Sequence, residues 1–374
     1  MLNGKRILIA AGGTGGHVNP ALAVAGLIRK KYPGCSILFA GTADKIESTL
    51  VPAAGFDIRT IDIEGFQRRL NMSGLKRNAR TVVKLFKASS QAKGLIHEFK
   101  PDVVVGFGGY VSGPVLRTAS KLGIPTAIHE QNAYPGVTNK ALAKHADAVM
   151  LTVAEAQKHL KTNKDCVVTG LPIRGEIVSA DRDRCRRELG LDSRPLILSM
   201  GGSLGARELN KAVAELIAAK HKEASCYFIH AMGQYGGWLP GLLKEKGVDL
   251  DREKHITIRE YIDDMQRCLP AADLVICRAG ASTLSEIQAL GKVSILIPSP
   301  NVAENHQYHN AMALVGNRAA VIIEEKDLSG ARLSSEVDEL LKHPQRMAEI
   351  GMNARKMAVY DAAERICAVI ENLV

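Results

Sequence analysis

Three glycine-rich turns follow apolar, strand-like runs and have the composition of phosphate-binding turns. They are Gly12–Gly16, Gly108–Tyr110 and Gly201–Gly205. A glycine-rich turn between a buried strand and a helix brings backbone N–H groups and a helix N-terminus to one point, which favours an anion. The alternative interpretation is that these glycines serve only tight packing. It is less favoured because two loops at equivalent strand ends share the pattern. We therefore predict phosphate binding in a cleft between two domains.

The first turn departs from two well-known nucleotide fingerprints. The last position of a G-x-G-x-x-G pattern falls on Val18, and the second predicted strand runs into Gly41 and Thr42 with no acid to hold an adenosine ribose. The sequence also contains no G-x-x-x-x-G-K-[ST] pattern. The turns therefore predict neither a dinucleotide site nor a P-loop.

His17 directly follows the first turn, and we single it out as a candidate general base. It would start the first helix at the carboxyl edge of the sheet, where ligands bind in such folds. An imidazole can take a proton from an attacking hydroxyl near neutral pH. A structural histidine and a phosphate contact are the alternatives that the residues leave open.

A further strand–turn–helix junction lies at Cys277–Glu286, and two interpretations compete for it. Spacing alone favours a capping box, with Thr283 as N-cap and Glu286 three residues on. The functional interpretation puts a diphosphate on the helix N-terminus and a ribose diol against the Glu286 carboxylate. The amide-rich loop that follows, residues 301–310, suits sugar hydroxyls or is a solvated loop.

Two Asp-x-Asp triplets resemble the metal-binding pairs of metal-dependent sugar transferases. Asp181–Asp183 and Asp249–Asp251 both lie in charge-rich loops rather than at the end of an apolar strand. We therefore interpret them as chance occurrences and predict no metal site. Helix dipoles and arginine would then have to stabilise a departing anionic group.

The elements that must position these residues are short apolar strands alternating with helical stretches. Continuous rather than alternating apolar runs indicate strands buried on both faces, hence parallel sheets. A length of 374 residues favours two domains, and the two halves open alike with a strand running into a glycine turn. The boundary is predicted near Gly170–Pro172, and 362–374 is a final amphipathic helix. The predicted strands are Arg6–Ala11, Ser36–Ala40, Asp102–Phe107, Thr126–His129, Ala148–Thr152, Leu196–Met200, Cys226–His230, Leu274–Cys277, Ser294–Pro298 and Ala320–Ile323.

Charge and cysteine usage narrow the class of partner and the compartment. Lys plus Arg exceed Asp plus Glu by 49 to 39, and this formal charge of +10 favours an anionic partner. Aromatics are only 4% of the chain, which disfavours the base stacking of a nucleic-acid surface. The seven cysteines form no C-x-x-C pair and indicate reduced cytosolic thiols. No window approaches the roughly 18 to 20 apolar residues of a membrane span, so we expect a cytoplasmic protein.

Much of the positive charge lies in residues 65–97, which hold eight Lys or Arg and no acid. A helical wheel separates a basic face from an apolar one. A solvated face beside a core face is the ordinary interpretation, and seating on anionic lipid is the alternative. The candidate membrane patch comprises Lys76, Arg80, Lys84, Phe86 and Lys87.

Together these residues resemble the MurG family, the UDP-N-acetylglucosamine:lipid I N-acetylglucosaminyltransferases of peptidoglycan synthesis. Seven motifs match in order over nearly the whole chain, which makes the resemblance specific although each motif alone is weak. They are Gly12–His17 with Pro20, Gly108–Pro114, His129–Asn132 with Thr138–Lys140, Gly201–Ser203 with Gly205–Arg207 and Asn210, Tyr261–Met265, Arg278–Glu286, and Asn305–Asn310.

The resemblance implies a GT-B fold of two Rossmann-like, doubly wound parallel-sheet domains, with the final helix crossing back to the first. It implies inverting transfer of N-acetylglucosamine from UDP-GlcNAc to the 4-hydroxyl of MurNAc in lipid I, giving lipid II and UDP. His17 and Glu130 correspond to the catalytic positions, and Gly13 and Tyr110 to the acceptor side. The donor contacts correspond to Thr14, Gly15, Gly16, Asn132, Arg174, Ser203, Ile262, Ala281, Ser282, Thr283, Leu284, Ser285, Glu286 and Gln307.

The resemblance also implies a division of labour and a place in the cell. Residues 1–168 with 362–374 would form an acceptor and membrane-associating domain, and 169–361 the UDP-GlcNAc-binding domain. The implied partners are UDP-GlcNAc, lipid I, an anionic inner-leaflet surface at the cytoplasmic face of the membrane and a cell-wall synthesis complex, with no nucleic acid and no cofactor. Many members have Gln where this chain has Leu204, so the resemblance does not extend to a side-chain contact there, whereas it does extend to the backbone phosphate contacts of this loop.

Two rival functions remain open at this point. One is another GT-B enzyme such as a UDP-GlcNAc 2-epimerase, which needs no lipid acceptor. The other is a basic RNA-binding α/β protein, which charge alone would favour.

Overall fold

The computed structural model describes the backbone of residues 1–63 and 72–374 and the side chains of 1–63 and 86–374. The chain divides into two compact units. Unit 1 comprises Met1–Pro172 and Val359–Val374, and unit 2 comprises Ile173–Ala358. Each unit has one parallel sheet with helices on both faces.

Unit 1 has a seven-stranded parallel sheet in the order β3-β2-β1-β4-β5-β6-β7. Its two faces are covered by separate apolar clusters: Ile7 and Ile9 of β1 belong to one, and Leu8 and Ala10 to the other. Burial on both faces explains the continuous apolar runs of the central strands. The strands are β1 (Arg6–Ala11), β2 (Ser36–Gly41), β3 (Asp57–Thr60), β4 (Val103–Gly108), β5 (Thr126–Glu130), β6 (Ala148–Leu151) and β7 (Cys166–Val168).

The helices of unit 1 include one from the end of the chain. They are α1 (Gly15–Lys31), α2 (Glu47–Ala53), α3 (Met72–Phe99), α4 (Ser112–Lys121), α5 (Val137–Leu142) and the C-terminal α15 (Ala362–Glu371). Helix α15 packs on α1, burying Ile366 and Ile370. Its Glu371 carboxylate accepts hydrogen bonds from the Tyr32 hydroxyl (2.7 Å) and the Lys31 ammonium (2.9 Å).

Unit 2 has a six-stranded parallel sheet in the order β10-β9-β8-β11-β12-β13. Its faces are again covered by two clusters, one containing Ile197 and Ile276 and the other Leu198 and Val275. The strands are β8 (Leu196–Met200), β9 (Tyr227–Ala231), β10 (Ile256–Arg259), β11 (Leu274–Cys277), β12 (Val293–Leu296) and β13 (Val321–Ile322). The helices are α6 (Gly175–Val178), α7 (Arg182–Glu188), α8 (Arg207–Lys220), α9 (Leu239–Glu245), α10 (Met265–Ala271), α11 (Ala281–Leu290), α12 (His306–Val315), α13 (Gly330–Lys342) and α14 (Pro344–Lys356).

Both sheets reverse their strand order at one central pair. The switch lies between β1 and β4 in unit 1 and between β8 and β11 in unit 2. In doubly wound sheets the loops at the carboxyl ends of such a pair diverge and leave a crevice for ligands. The three predicted glycine turns follow β1, β4 and β8, and Cys277–Glu286 spans the turn after β11.

The ten predicted strands are confirmed, with ends displaced by at most two residues. Three further strands, β3, β7 and β10, were not predicted. All three lie at the edge of a sheet, and β3 and β7 are largely exposed. An edge strand needs no continuous apolar run, so its sequence gives a weak signal. The final helix ends at Glu371 rather than at residue 374.

Candidate active site

The first glycine loop of unit 1 is a tight turn between β1 and α1. Gly13 has a φ of +87°, a backbone conformation that favours glycine. Thr14 is the N-cap of α1 and has an extended backbone, but its side chain makes no capping hydrogen bond. The loop therefore presents the N-terminus of a seventeen-residue helix at the sheet edge.

His17 lies in the first turn of α1 and is partly buried. Its Nδ1 lies 3.0 Å from the Gly12 carbonyl oxygen, and the Thr14 hydroxyl is 3.3 Å from the same nitrogen. Because a carbonyl only accepts, the Gly12 contact favours the tautomer that carries its proton on Nδ1 and leaves a lone pair on Nε2. Burial lowers the pKa of His17, opposed by the Gly12 hydrogen bond and by the carboxylates of Glu130 and Glu47. The neutral, proton-accepting form is thus favoured near pH 7.

The second glycine turn closes against the first. A Cβ on Gly108 (φ +100°) would lie 2.7 Å from Cδ2 of His17, and a Cβ on Gly109 (φ +84°) would lie 2.3 Å from the Gly12 oxygen. Both positions therefore require glycine for this approach. Tyr110 follows with 57% of its surface exposed, so its phenol is accessible beside the two loops.

Glu130 ends β5 and is fully engaged in holding the next loop. Its Oε1 accepts from the backbone N–H (2.9 Å) and side-chain amide (3.2 Å) of Asn132, and its Oε2 accepts from Gly136 N (3.1 Å) and the Asn139 side chain (2.8 Å). A carboxylate with both oxygens occupied is a poor proton acceptor for an incoming hydroxyl. The Glu130 carboxylate thus holds Asn132 through two hydrogen bonds, and its charge raises the pKa of His17.

The histidine that precedes Glu130 is structural. His129 is buried, its Nε2 lies 2.9 Å from the Gly170 oxygen, and burial lowers its pKa to about 4. The amide of Gln131 lies 3.1 Å from His129 Nδ1 and 2.8 Å from the Phe107 oxygen. These bonds tie the ends of β4 and β5 to the segment that leaves unit 1.

Unit 2 has a cleft of about 690 Å³ at its own switch point. The loops after β8 and β11 form two of its walls, and the Ser299–Gln307 region after β12 forms a third. The lining residues are Met200, Gly201, Gly202, Ser203, Leu204, Gly205, Ala206, Arg207, Glu208, Cys277, Arg278, Gly280, Thr283, Ser299, Asn301, Gln307 and Glu325.

Two helix N-termini meet at this cleft without side-chain caps. The N-caps of α8 and α11 are Ala206 and Gly280, and neither has a side chain that can bond the free backbone N–H groups. The positive ends of two helix dipoles and their N–H groups thus face one cavity, an arrangement that suits a diphosphate. The prediction of a capping box at Thr283 is wrong, because α11 begins at Ala281 and Thr283 lies within its first turn.

Glu286 lies one turn further along α11 with only 8% of its surface exposed. Its Oε1 accepts a hydrogen bond from Nε of Arg174 at 2.8 Å. Burial raises the pKa of Glu286 and the Arg174 guanidinium opposes that shift. Arg174 is half exposed and N-caps the short helix α6, so it reaches the carboxylate from a separate element.

The remaining donor candidates of unit 2 differ in accessibility. Gln307 accepts from the Ser299 backbone N–H (2.9 Å) and lines the cleft, whereas Ile262 is nearly fully buried beside β10. Leu204 is 54% exposed, and its carbonyl accepts from Tyr235 N (3.1 Å). Of α11, Ala281, Ser282 and Thr283 are partly exposed, and Leu284 and Ser285 are buried.

The structure groups the predicted site residues by unit. Ser203, Thr283 and Gln307 line the cleft of unit 2, and Arg174 with Glu286 forms an ion pair of the same unit. The other predicted donor residues of unit 2 are Ile262, Ala281, Ser282, Leu284 and Ser285, and unit 1 contains Gly13, Thr14, Gly15, Gly16, His17, Tyr110, Glu130 and Asn132.

Two contacts of charged residues at these sites were not predicted from the sequence: those of Glu47 with the first glycine loop and the pair that Arg278 forms with Glu325. Glu47 also binds the end of β2, and the Arg278–Glu325 pair lies inside the unit 2 cleft. An acid in the first turn of a short helix is the signal that Glu47 offers, and this signal ordinarily indicates capping. Long-range pairs such as Arg278–Glu325 leave no local pattern.

The two Asp-x-Asp triplets have local roles. Asp181 caps α7 by accepting from Arg184 N (2.7 Å), and Asp249 accepts from Asp251 N (3.1 Å) and pairs with Arg252 (3.2 Å). Among the residues whose side chains are described, no group of three or more His, Cys, Asp or Glu is arranged to hold a metal ion.

The predicted membrane patch is only partly visible. Phe86 is 76% exposed, and the Lys87 ammonium pairs with the Asp62 carboxylate at 3.1 Å. The side chains of Lys76, Arg80 and Lys84 lie outside the described residues. Within the described part of the chain, no helix is long and apolar enough to cross a membrane.

Two doubly wound parallel sheets, each with glycine loops at its switch point, define the GT-B class of glycosyltransferases, as predicted. A model of the glycosyltransferase family 28 N-terminal domain matches residues 7–151, and one of the family 28 C-terminal domain matches 196–366. The chain belongs to glycosyltransferase family 28.

Individual relatives agree with this assignment. The UDP-N-acetylglucosamine–N-acetylmuramyl-(pentapeptide) pyrophosphoryl-undecaprenol N-acetylglucosamine transferase of Acetivibrio thermocellus is 44% identical, covering 98% of both chains. The crystal structure of MurG from Acinetobacter baumannii is 30% identical, with a TM-score of 0.78 over 98% of this chain and 99% of that one. A UDP co-structure of MnaA from S. aureus shares the fold at 14% identity, with a TM-score of 0.70 over 99% and 98% of the chains. The predicted resemblance to the MurG family and the predicted glycosyltransferase class are confirmed.

Proposed function

We propose that this protein transfers N-acetylglucosamine, with inversion, from UDP-GlcNAc to the 4-hydroxyl of MurNAc in lipid I, giving lipid II and UDP. The observation that carries the proposal is the unit 2 cleft, where two uncapped helix N-termini meet beside Ser203. Glu286, which pairs with Arg174, lies on α11, one of these two helices. The family 28 membership and the names of the relatives support the same activity.

Unit 2 is the proposed donor-binding unit. The diphosphate would sit on the N-termini of α8 and α11, with the Ser203 hydroxyl as a further donor. The Glu286 carboxylate would accept a hydrogen bond from each of the two ribose hydroxyls, and both bonds would be charge-assisted. Gln307 would bind sugar hydroxyls, and Ile262 would contact the uracil base of UDP. The remaining contacts would come from Ala281–Ser285. Thr14, Gly15, Gly16 and Asn132 of unit 1 complete the proposed donor set.

Unit 1 is the proposed acceptor-binding unit, with Gly13 and Tyr110 on the acceptor side. The acceptor oxygen would attack the anomeric carbon while the bond from that carbon to the UDP oxygen breaks. The acceptor proton would move to Nε2 of His17, and UDP would leave with the bonding electron pair. His17 is the preferred base over Glu130, because Nε2 is the free lone pair whereas both Glu130 oxygens are occupied.

The charge that develops on the departing UDP would be neutralised by the two helix N-termini, Ser203 and Arg174. Preorganised N–H groups and a cation act where charge grows in the transition state. Both Asp-x-Asp triplets make local hydrogen bonds, which supports a stabilisation of UDP that does not involve them.

Unit 1 is also the proposed membrane-facing unit, at the cytoplasmic face of the membrane and in a cell-wall synthesis complex. The exposed Phe86 beside Lys87 supports this placement.

Charge reversal at Arg80, Lys84 and Lys87 should lower binding to vesicles with anionic lipid and leave UDP-GlcNAc affinity unchanged. The difference in vesicle binding between wild type and variant should shrink as the salt concentration rises. Equal vesicle binding by both proteins would assign the segment to ordinary surface.

The decisive test of the transferase is UDP release from UDP-GlcNAc with and without a lipid I analogue. A transferase releases UDP only with acceptor, and mass spectrometry should find the acceptor heavier by one N-acetylhexosamine residue. A changed sugar nucleotide without acceptor would support an epimerase. Salt-sensitive RNA affinity without UDP-GlcNAc affinity would support the RNA-binding alternative.

A further inference from the structure

Glu47 is a fully buried carboxylate in unit 1 that the proposed reaction has not used. It is the first residue of α2 and has no exposed surface. Its Oε2 accepts from the Gly13 backbone N–H at 2.9 Å, and its Oε1 accepts from the backbone N–H (2.9 Å) and hydroxyl (2.7 Å) of Thr42. The carboxylate therefore joins the ends of β1 and β2.

Two glycines, Gly12 and Gly41, leave the space that the Glu47 side chain occupies. A Cβ on Gly12 would lie 2.5 Å from Oε1 of Glu47, and a Cβ on Gly41 would lie 2.7 Å from its Cγ. The side chain thus fills a space that only glycine at both positions provides. A buried carboxylate without its hydrogen bonds would be costly, so these three bonds fix the backbone groups that make them.

The Gly13 N–H group, which donates its hydrogen bond to Glu47, belongs to the same peptide group as the Gly12 carbonyl. That carbonyl is the one that faces Nδ1 of His17 at 3.0 Å. One peptide plane therefore has the carboxylate on its N–H side and the imidazole on its C=O side. Hydrogen bonds in such a chain polarise one another, which makes the Gly12 oxygen a stronger acceptor.

The orientation of this peptide is set from three sides. Gly13 has a positive φ of +87°, and the Gly12 oxygen lies against Gly109, where a Cβ would approach it to 2.3 Å. Without an acceptor for the Gly13 N–H, rotation of the peptide plane would turn the Gly12 oxygen away from His17. Besides burial and the Gly12 carbonyl, the charged groups that act on His17 are Glu130 and Glu47, and both raise its pKa.

We propose that Glu47 is a positioning residue that orients His17 through the Gly12–Gly13 peptide and keeps its Nε2 free to accept a proton. The arrangement does through a peptide group what a carboxylate does directly in a carboxylate–histidine pair, namely select the imidazole tautomer. The proposal rests on the proposed function only for the role of His17 as base. The contact itself is independent of the reaction.

The test reads the tautomer of His17 directly. Two-bond ¹⁵N–¹H correlation spectra of the full-length protein with ¹⁵N-labelled histidine would be recorded across pH, and His17→Gln would assign the signal among the 11 histidines. We expect wild type to carry the proton on Nδ1. Glu47→Gln places an amide NH₂ against a backbone N–H and removes the charge, so we expect a mixed tautomer and a lower pKa for His17.

Kinetics provide the second readout. In Glu47→Gln we expect kcat to fall by about tenfold to a hundredfold, a part of the ~10²–10⁴-fold that a general base contributes. The KM for UDP-GlcNAc should stay within about threefold, because most of its proposed contacts, including those to the diphosphate and the ribose, lie in unit 2. Thr42→Val is the matched control: it removes one bond to the same carboxylate, keeps the Gly13 bond and should leave the His17 spectrum unchanged.

An unchanged His17 tautomer in folded Glu47→Gln overturns the proposal, whatever the activity. If Glu47→Gln does not fold, Glu47→Asp replaces it, since the shorter carboxylate keeps the charge but not the reach to Gly13. A mixed tautomer in Glu47→Asp supports the proposal and an Nδ1-protonated one overturns it. Failure of the proposed function is a separate result: wild type would release no UDP with acceptor, while the spectra would still report on the contact.

Discussion

The first and second sheets open on similar glycine loops that sit in different electrostatic surroundings. The Gly12–Gly16 loop contacts a buried carboxylate, because Gly13 N–H bonds to Glu47, and it is followed by His17. The Gly201–Gly205 loop is instead held by backbone groups: Ser203 and Leu204 carbonyls accept from Gln234 and Tyr235 N–H (3.0 and 3.1 Å). A Cβ on Gly205 would lie 2.3 Å from the Met232 oxygen, so backbone packs directly on backbone there.

We propose that this difference separates a proton-accepting site from an anion-binding site. A carboxylate beside a loop raises the proton affinity of a nearby imidazole and disfavours a phosphate. A loop fixed by neutral backbone groups, beside two uncapped helix N-termini, keeps its positive potential for a phosphate. Similar turns in the sequence thus have different immediate surroundings, and the carboxylate that contacts the first one lies 34 positions away from Gly13.

Removal of His17 should produce the largest effect. His17→Ala should lower kcat by about 10²–10⁴-fold, since the proton acceptor is lost, and leave UDP-GlcNAc affinity within roughly threefold. Steady-state kinetics with varied acceptor measure this. A raised acceptor KM with little change in kcat would instead make His17 a diphosphate contact. If His17→Ala keeps a near wild-type kcat and Glu130→Ala is inactive, the general base is Glu130 instead.

Glu286→Ala tests the anion-binding side and should weaken UDP-GlcNAc binding by ~2 kcal/mol, about thirtyfold, through the lost ribose hydrogen bonds. Calorimetry measures this affinity, and the melting temperature reports folding. Arg174 is half exposed and can be solvated after the loss of its partner, so we expect a folded variant. Unchanged donor affinity would reduce Glu286 to a structural partner of Arg174.

The pH dependence of kcat should separate the two sites further. Burial holds the pKa of His17 below its ordinary value of 6.5, so the base stays deprotonated and kcat stays on its plateau down to about pH 6.5. Below the pKa of His17, kcat should fall about tenfold per pH unit, because one proton inactivates the base.

Saturating donor is required in that experiment, because burial raises the pKa of Glu286 and its protonation would weaken donor binding at acid pH. The Glu286 effect should therefore appear in the KM for UDP-GlcNAc and the His17 effect in kcat. An acid limb of kcat centred above pH 6.5 would point to a different base.

The sequence predicted the centre of each sheet and the glycine loops because burial on both faces leaves continuous apolar runs. It did not predict β3, β7 and β10, since edge strands need fewer apolar residues. The wrong cap at Thr283 has a local cause: Gly280 has an extended backbone and starts α11 without a polar side chain, so the capping pattern matched one turn too late.

The charged partners of the site were beyond the reach of sequence patterns. Arg174 and Glu286 were both singled out, but their 2.8 Å contact joins residues 112 positions apart. Glu47 offered only an acid at a helix start. Such pairs depend on how strands are ordered in the sheet, and spacing along the chain does not contain that order.

The smallest expected effect is that of EDTA, and it tests whether the second loop needs help in binding an anion. Two helix N-termini, Ser203 and Arg174 supply positive potential at the proposed diphosphate site. Asp181 and Asp249 meanwhile accept hydrogen bonds from Arg184 N and Asp251 N. Purified enzyme should therefore keep its initial rate of UDP release in EDTA, within about twofold at matched ionic strength, since salt itself screens charge. Complete loss of activity that Mg²⁺ or Mn²⁺ restores would mean that the helix ends do not suffice, and that the unit 2 cleft acts on the leaving group through a cation.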